Sequence, residues 1–357
     1  MKSNYDILGN HIRLIDTRNR ESITDRVLGI NIDKFFMPSV ANVIGTDLSK
    51  YKLITKGKFA CNPMHVGRDE RLPVALYDEE EPAIVSPAYF MFEVVDNSIL
   101  NEDYLMMWFR RPEFDRICWL HTDGSVRGGI TWDDICRLEL PIPPIENQLE
   151  IVNSYKAITE RIALKQKIND NLDDTALTLY QKYFESNSDK SSWKQGTVGD
   201  VLQLQRGHDL PRTEMTGGKY PVAGSTGTIG YHDEFTAEAP VIVMGRSGNI
   251  GNPRLYLCNC WTHNTSLYVK QIYEAEPLWV FYLLKNLNYD GFVGGSAVPT
   301  LNRNDVHAYG IAIPPLELQK SFSQKVMSLI YCKEENLSEI EKLQELQKII
   351  LTTMSSR

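Results

Sequence analysis

Histidine, cysteine and serine are the side chains here with nucleophilic or metal-binding chemistry, and glycine-rich loops are the segments with phosphate-binding chemistry. The seven histidines, at 11, 65, 121, 208, 232, 263 and 307, include no H-E-x-x-H pair and no metal-ligand spacing. The six cysteines, at 61, 118, 136, 258, 260 and 332, form no C-x-x-C pair, so neither a zinc site nor a disulfide framework is expected. Ser225 and Ser247 lie in glycine-rich loops, yet no G-x-S-x-G elbow surrounds them. The loops GSTGTIG at 224–230 and GRSGNIG at 245–251 sit between strand-like runs, whereas a phosphate cradle requires G-x-x-x-x-G-K-[ST] or a strand–G-x-G-x-x-G–helix unit. Their glycines suit hairpin turns or close backbone approach to a ligand. Asn62-Pro63 and Asn252-Pro253 lack the second proline and the aromatic of the amino-methyltransferase motif and read as turns. The residue types point to binding rather than catalysis.

The elements that must position these loops follow from length and pattern. A chain of 357 residues with 42% hydrophobic and 10% aromatic residues is expected to form about two domains with real cores. No apolar run approaches about 18 residues, and the start MKSNYDILGN lacks a signal-peptide pattern, so a soluble cytoplasmic protein with no membrane association is expected. Net charge is −8, and it is not concentrated: residues 1–143 carry 17 basic and 22 acidic groups, 144–184 carry 5 and 6, 185–313 carry 10 and 12, and 314–357 carry 6 and 6. Bulk electrostatic attraction to nucleic acid is thereby disfavoured; a local cleft or a basic partner would have to neutralise phosphate.

The chain also repeats itself. GSVRGGITWDDICRLELPIPPIENQ at 124–148 aligns without a gap on GSAVPTLNRNDVHAYGIAIPPLELQ at 295–319, with 8 of 25 positions identical, including Asp134 and Asp305 and the run Ile-Pro-Pro-x-Glu-x-Gln. After Pro144 and Pro315, each suited to a first helical turn, no glycine or proline appears until Gly196 or before residue 357. Steps of four and three place a seam at Ile151, Tyr155, Ile158, Ile162, Lys165, Asn169, Leu172, Ala176, Leu179 and Tyr183, of which eight of ten are apolar or aromatic. The second seam runs Phe322, Val326, Leu329, Lys333, Asn336, Ile340, Leu343, Gln347, Ile350 and Met354, with seven of ten apolar. A 3.5-residue period held this long predicts a coiled coil, with Lys165, Asn169, Lys333, Asn336 and Gln347 either setting register or facing solvent. The order globular segment, helix, globular segment, helix predicts an antiparallel pairing about an approximate two-fold axis, over roughly 60 Å of helix, with the helix pair acting as a spacer between the globular segments.

The globular segments read as mixed α+β. Residues 1–143 hold strand-like runs such as 83–95 and a helical stretch near 101–117; residues 193–313 alternate short Val/Ile/Tyr runs with glycine turns before a helical EPLWVFYLLKNL.

With the duplicated Gly-Ser…Ile-Pro-Pro-x-Glu-x-Gln and the helix after each copy, the chain resembles the specificity subunits of type I restriction-modification systems over essentially its whole length. The second domain follows the family pattern through YPVAGSTGTIGYHDE, VIVMGRSGNIG and GSAVPTLNRNDV; the first, with GKFACNPMHVGRDE and IVSPAYFMFEV, resembles a different subtype of recognition domain. The resemblance implies target-recognition domains at 1–143 and 187–313, conserved helices at 144–186 and 314–357, and no catalytic activity in this chain. It further implies double-stranded DNA with a bipartite asymmetric site as ligand, and two modification subunits and restriction subunits as partners. Those partners would carry the S-adenosylmethionine, ATP and Mg. Given that role, base readout favours Arg206, Arg246, Ser247, Asn249, His263, Asn264, Thr265, Asn302 and Arg303 in the second domain and His65, Arg68, Arg71 and Arg127 in the first. The alternatives are a coiled-coil adaptor that binds proteins with no DNA role, and an enzyme built on the glycine-rich loops.

Overall fold

The two stretches free of glycine and proline are both helices. In the computed structural model, which describes residues 5–40, 43–64, 66–122, 128–294 and 300–354, a central helix spans Ile145–Tyr180 and a C-terminal helix spans Leu316–Thr353. The central helix continues as a single π-helical turn over Gln181–Glu185. Every predicted seam position on both helices is buried or half-buried, while the residues between them are mostly exposed. The chain divides into two units, residues 1–164 with 339–357 and residues 165–338, each holding one globular domain and part of both helices.

In the first unit Val152 and Met354 enter the core of the globular domain, with Ile151, Tyr155 and Ile350 packed against it. Gln347 donates to Thr159 Oγ1 at 2.7 Å, and Arg161 pairs with Glu339 at 2.5 Å. In the second unit Ala176, Tyr180, Phe184, Phe322 and Val326 belong to the domain core, flanked by Leu179, Tyr183 and Leu329. There Asn336 Nδ2 donates to Asn169 Oδ1 at 2.9 Å, Lys165 Nζ donates to Asn336 Oδ1 at 2.8 Å, and Lys333 Nζ meets Asp173 at 2.5 Å. In both units the residue numbers run in opposite directions along the two helices, so they pair antiparallel. Each polar seam residue bonds across to the facing helix, and the buried Asn169–Asn336 amide pair tolerates few alternative registers.

The globular domains share one topology. In the first, strands Ile12–Ile15, Phe90–Val94, Lys58–Cys61 and Val74–Tyr77 form an antiparallel sheet in that order; in the second, Leu202–Arg206, Ser266–Ile272, Val241–Gly245 and Gly251–Tyr256 do the same. A second sheet pairs Val27–Ile30 antiparallel with Phe36–Pro38 and parallel with Ala83–Val85; its counterpart pairs Tyr220–Gly224 antiparallel with Gly227–His232 and parallel with Trp261–Thr262. The first domain adds an edge strand, Lys52–Ile54. The chain is thus α+β, with the two mixed domains alternating with the two long helices.

Several local expectations change. The stretch near 101–117 is two helices, Glu102–Phe109 and Pro112–Leu120, because Pro112 removes a backbone donor and starts a new first turn. The break read at proline within the run 83–95 does separate two strands, Ala83–Val85 and Phe90–Val94. Asn252-Pro253 is not a turn: it lies in the edge strand Gly251–Tyr256, where a missing N–H is tolerated, with Asn252 at φ 49°.

Each long helix starts from a short antiparallel strand pair, Tyr5–Ile7 with Glu139–Pro141 and Lys194–Thr197 with Gly310–Ile313. Just inside each helix the glutamine of the repeated motif is buried, Gln148 at 0% and Gln319 at 1% exposure. Gln148 accepts from Asn101 N at 2.9 Å and donates to Ile99 O and Pro143 O at 2.8 Å; Gln319 accepts from Glu276 N at 2.9 Å and donates to Pro314 O at 2.9 Å. Asn101 and Glu276 are the N-cap residues of the helices Glu102–Phe109 and Pro277–Asn286.

Truncation at a fully buried seam residue is expected to cost far more than at an exposed position of the same helix. Phe322→Ala should destabilise the second unit by about 3–5 kcal/mol through the cavity it leaves, and Leu346→Ala, at a 48% exposed position, by less than about 1 kcal/mol. Denaturant unfolding of the two variants checks this, and equal losses would contradict the assigned seam.

Candidate nucleic-acid interface

Antiparallel strands bring alternate connections to one end of a sheet, and in the second domain this gathers most of the candidate residues. The bend after Arg206, the turn at Ser225-Thr226, the loop 246–250 and the turn 263–265 all lie at the same end. They are stitched together by backbone. Arg246 N and Ser247 N donate to Thr265 O at 3.0 and 3.2 Å, His263 N donates to Ala223 O at 2.9 Å, and His208 N donates to Thr262 O at 2.7 Å. Thr265 Oγ1 accepts from Ser225 N at 3.3 Å and contacts His263 Nδ1 at 2.9 Å. Asn249 Nδ2 donates to Ser225 O at 3.2 Å, and its Oδ1 accepts from Asn252 at 2.7 Å. Gly207 is required where the bend after Arg206 crosses the turn 263–265: a Cβ there would meet His263 O at 2.2 Å. Gly248, at φ 77°, turns the loop between Ser247 and Asn249.

These bonds sort the candidates. Asn249, His263 and Thr265 spend their polar atoms holding the loops, and Asn264 donates to Asp209. Arg246 engages the cluster through its main chain: its carbonyl accepts from Leu301 N at 2.8 Å. Arg206 projects half-exposed, 3.7 Å from Asp209. Asn302 and Arg303 follow directly on Thr300 and Leu301, which pair with Ser247 and Arg246, and Asn302 caps the helix Arg303–His307, where its side chain accepts from Asn304 N at 3.0 Å. On that helix, burial and the nearby Arg303 push the His307 imidazole below its ordinary value; held neutral, its Nε2 accepts from Leu204 N at 2.8 Å.

The shared topology locates the corresponding end of the first domain. The connection 62–73 stands where 246–250 stands in the second domain, 86–89 where 263–265 stands, 31–35 where Ser225-Thr226 stands, and 16–19 where the bend after Arg206 stands. Pro63 O accepts from Ile130 N at 3.1 Å, and Gly67 N donates to Gly128 O at 2.9 Å, matching the contact of Arg246 with Leu301. Arg68 is paired with the adjacent Asp69 at 2.6 Å, and Arg71 reaches across to Asp33 at 2.9 Å. His65 and Arg127 lie outside the described residues. Residue typing missed the connections 16–19, 31–35 and 86–89, because without the topology nothing marks them as neighbours of 62–73. Among the described residues no cluster of potential metal ligands occurs, and no helix is long and apolar enough to cross a membrane.

Two domains of one topology, each gathering its loops at one sheet end and alternating with two paired helices, define a tandem-domain protein with two loop surfaces. Residues 190–349 match the family model described as the type I restriction modification DNA specificity domain. A putative type I restriction enzyme MjaX specificity subunit from Methanocaldococcus jannaschii is 21% identical, over 98% of this chain and 88% of its own length. The EcoprrI specificity subunit of Escherichia coli is 20% identical over 57% of this chain and 55% of its own. In fold, the chain is similar to the type I restriction-modification S subunit of M. genitalium, with a TM-score of 0.60 at 16% identity, covering 100% of this chain and 97% of that one. Residues 190–349 thus match a type I restriction modification DNA specificity domain, and over nearly its whole length the chain is similar to type I specificity subunits.

Substitutions should separate base contacts from loop scaffolding. Arg246→Ala is expected to lower discrimination at one base pair by about 1–3 kcal/mol with an unchanged melting temperature. Asn249→Ala is expected to lower the melting temperature, because it frees the 225–226 turn. Competition binding with single-base-pair variants, alongside thermal unfolding, distinguishes the two; the reverse pattern would exchange the roles.

Proposed function

We propose that this chain is the non-catalytic, sequence-reading subunit of a type I complex, with each globular domain contacting one half of a bipartite, asymmetric DNA site. The observation that carries this reading is one topology used twice with different loop residues. The same scaffold end offers Ser225, Arg246, Asn249 and Asn264 in one domain and Arg68, Arg71 and Tyr89 in the other. Equal scaffolds with unequal loops suit two half-sites of unequal sequence.

The site residues proposed to face bases are Arg206, Arg246, Ser247 and Asn264 in the second domain and Arg68 and Arg71 in the first, with Asn249, His263 and Thr265 positioning the loops and Asn302 and Arg303 at the margin. With a net charge of −8, the chain leaves much of the phosphate neutralisation to its partners, proposed to be two modification subunits joined by restriction subunits in the cytoplasm. S-adenosylmethionine, ATP and Mg are assigned to those partners, since methyl transfer, translocation and cleavage belong to them.

Base-modification sequencing of a methylation-free host that carries this chain with its modification subunit tests the reading. A split adenine-methylation motif that disappears when the chain is omitted is expected; co-purification of the two proteins without any motif would overturn it.

A further inference from the structure

The reading ends of the two domains differ in chemistry. In the second domain the turns present serine, threonine, arginine, asparagine and histidine, while Ile250 packs toward the core. The matching connections of the first domain present large apolar side chains to solvent: Phe35 is 50% exposed, Met64 44% and Ile32 37%. These are not loose loops. Lys34, buried at φ 68°, donates to Leu72 O at 2.9 Å and to Asp115 at 2.6 Å, and Arg71 bonds Asp33, so the turn 31–35 is locked to the connection 62–73. Exposed apolar side chains on a locked turn cost solvation without contributing to the core, which marks them for a partner surface.

Resting on the DNA reading above, we infer that the first domain recognises its half-site through the C5-methyl groups of thymine, contacted by Phe35 and Met64 with Ile32 beside them, whereas the second domain reads by hydrogen bonds. The thymine methyl is the one apolar feature among the base edges of the major groove, so it is the group an apolar loop surface can discriminate. Arg68 and Arg71, proposed above to face bases, lie in the same connection as Met64, and Asp33, Asp69 and Glu70 beside them restrict how much positive charge the loop offers to phosphate.

Uracil differs from thymine only in lacking this methyl, which makes it the direct probe. The assembled complex with its modification subunits is titrated with the methylated target in which thymines are replaced by uracil in one half-site at a time. Replacement in the first domain's half-site is expected to weaken binding about fourfold per contacted methyl, and replacement in the other half-site to change it by less than about twofold. Phe35→Ser and, separately, Met64→Ser should each reduce the preference for thymine over uracil targets, and the double variant should abolish it, all with the wild-type melting temperature, because both side chains are half-exposed. A first half-site without thymine on either strand, or one indifferent to uracil, would overturn the inference and leave the DNA-reading function intact. Absence of any site-specific binding would overturn both.

Discussion

One buried amide at the start of each long helix is the constraint on which the rest of each unit depends. Gln148 and Gln319 lie in helical first turns, where backbone groups have no intrahelical partner, and each spans from its own helix to the cap of a helix inside the globular domain. Removing such a side chain would strand buried backbone polar groups, at a cost of about 1–3 kcal/mol for each. The Ile-Pro-Pro ahead of it fixes the direction in which the chain enters the helix, and the short strand pairs hold that entrance from the other side. Helix and domain therefore behave as one body within each unit, and Phe322, Tyr180 and Phe184, or Val152 and Met354, complete the domain cores from the helices.

The seam adds register to direction. Apolar residues alone would allow the antiparallel helices to slide by a heptad, but Asn336 bonds both Asn169 and Lys165, and Lys333 meets Asp173. A slipped alignment would leave the buried Asn169 and Asn336 amides without partners. The polar positions weaken the seam as a purely apolar surface and specify it as an alignment.

Much of this was legible in the residues because it is periodic. The 3.5-residue repeat, the offset of 171 and the proline starts each depend on local spacing, and they define the helices and the duplication. The role of Gln148 and Gln319 was hidden despite their identity in both copies, since a helix-start motif does not say which distant backbone groups its side chain will reach. The loop cluster of the second domain was partly legible: Arg246, Asn249 and Thr265 were singled out by type, but only the sheet order shows that Asn249 pins the 225–226 turn while Arg246 is held by its main chain. In the first domain the equivalent connection runs from 62 to 73 instead of five residues, and its partners at 31–35 and 86–89 share no pattern with it. Their adjacency is a product of strand order, which composition and spacing do not encode.

The central claim is that two scaffolds of one topology read separate halves of one site. Exchange of residues 187–313 for the corresponding domain of another family member, followed by base-modification sequencing of the complex, tests it most directly. The account expects one half of the methylated motif to change and the other half to persist unaltered. A change in both halves, or in neither, with the complex still assembled, would contradict it.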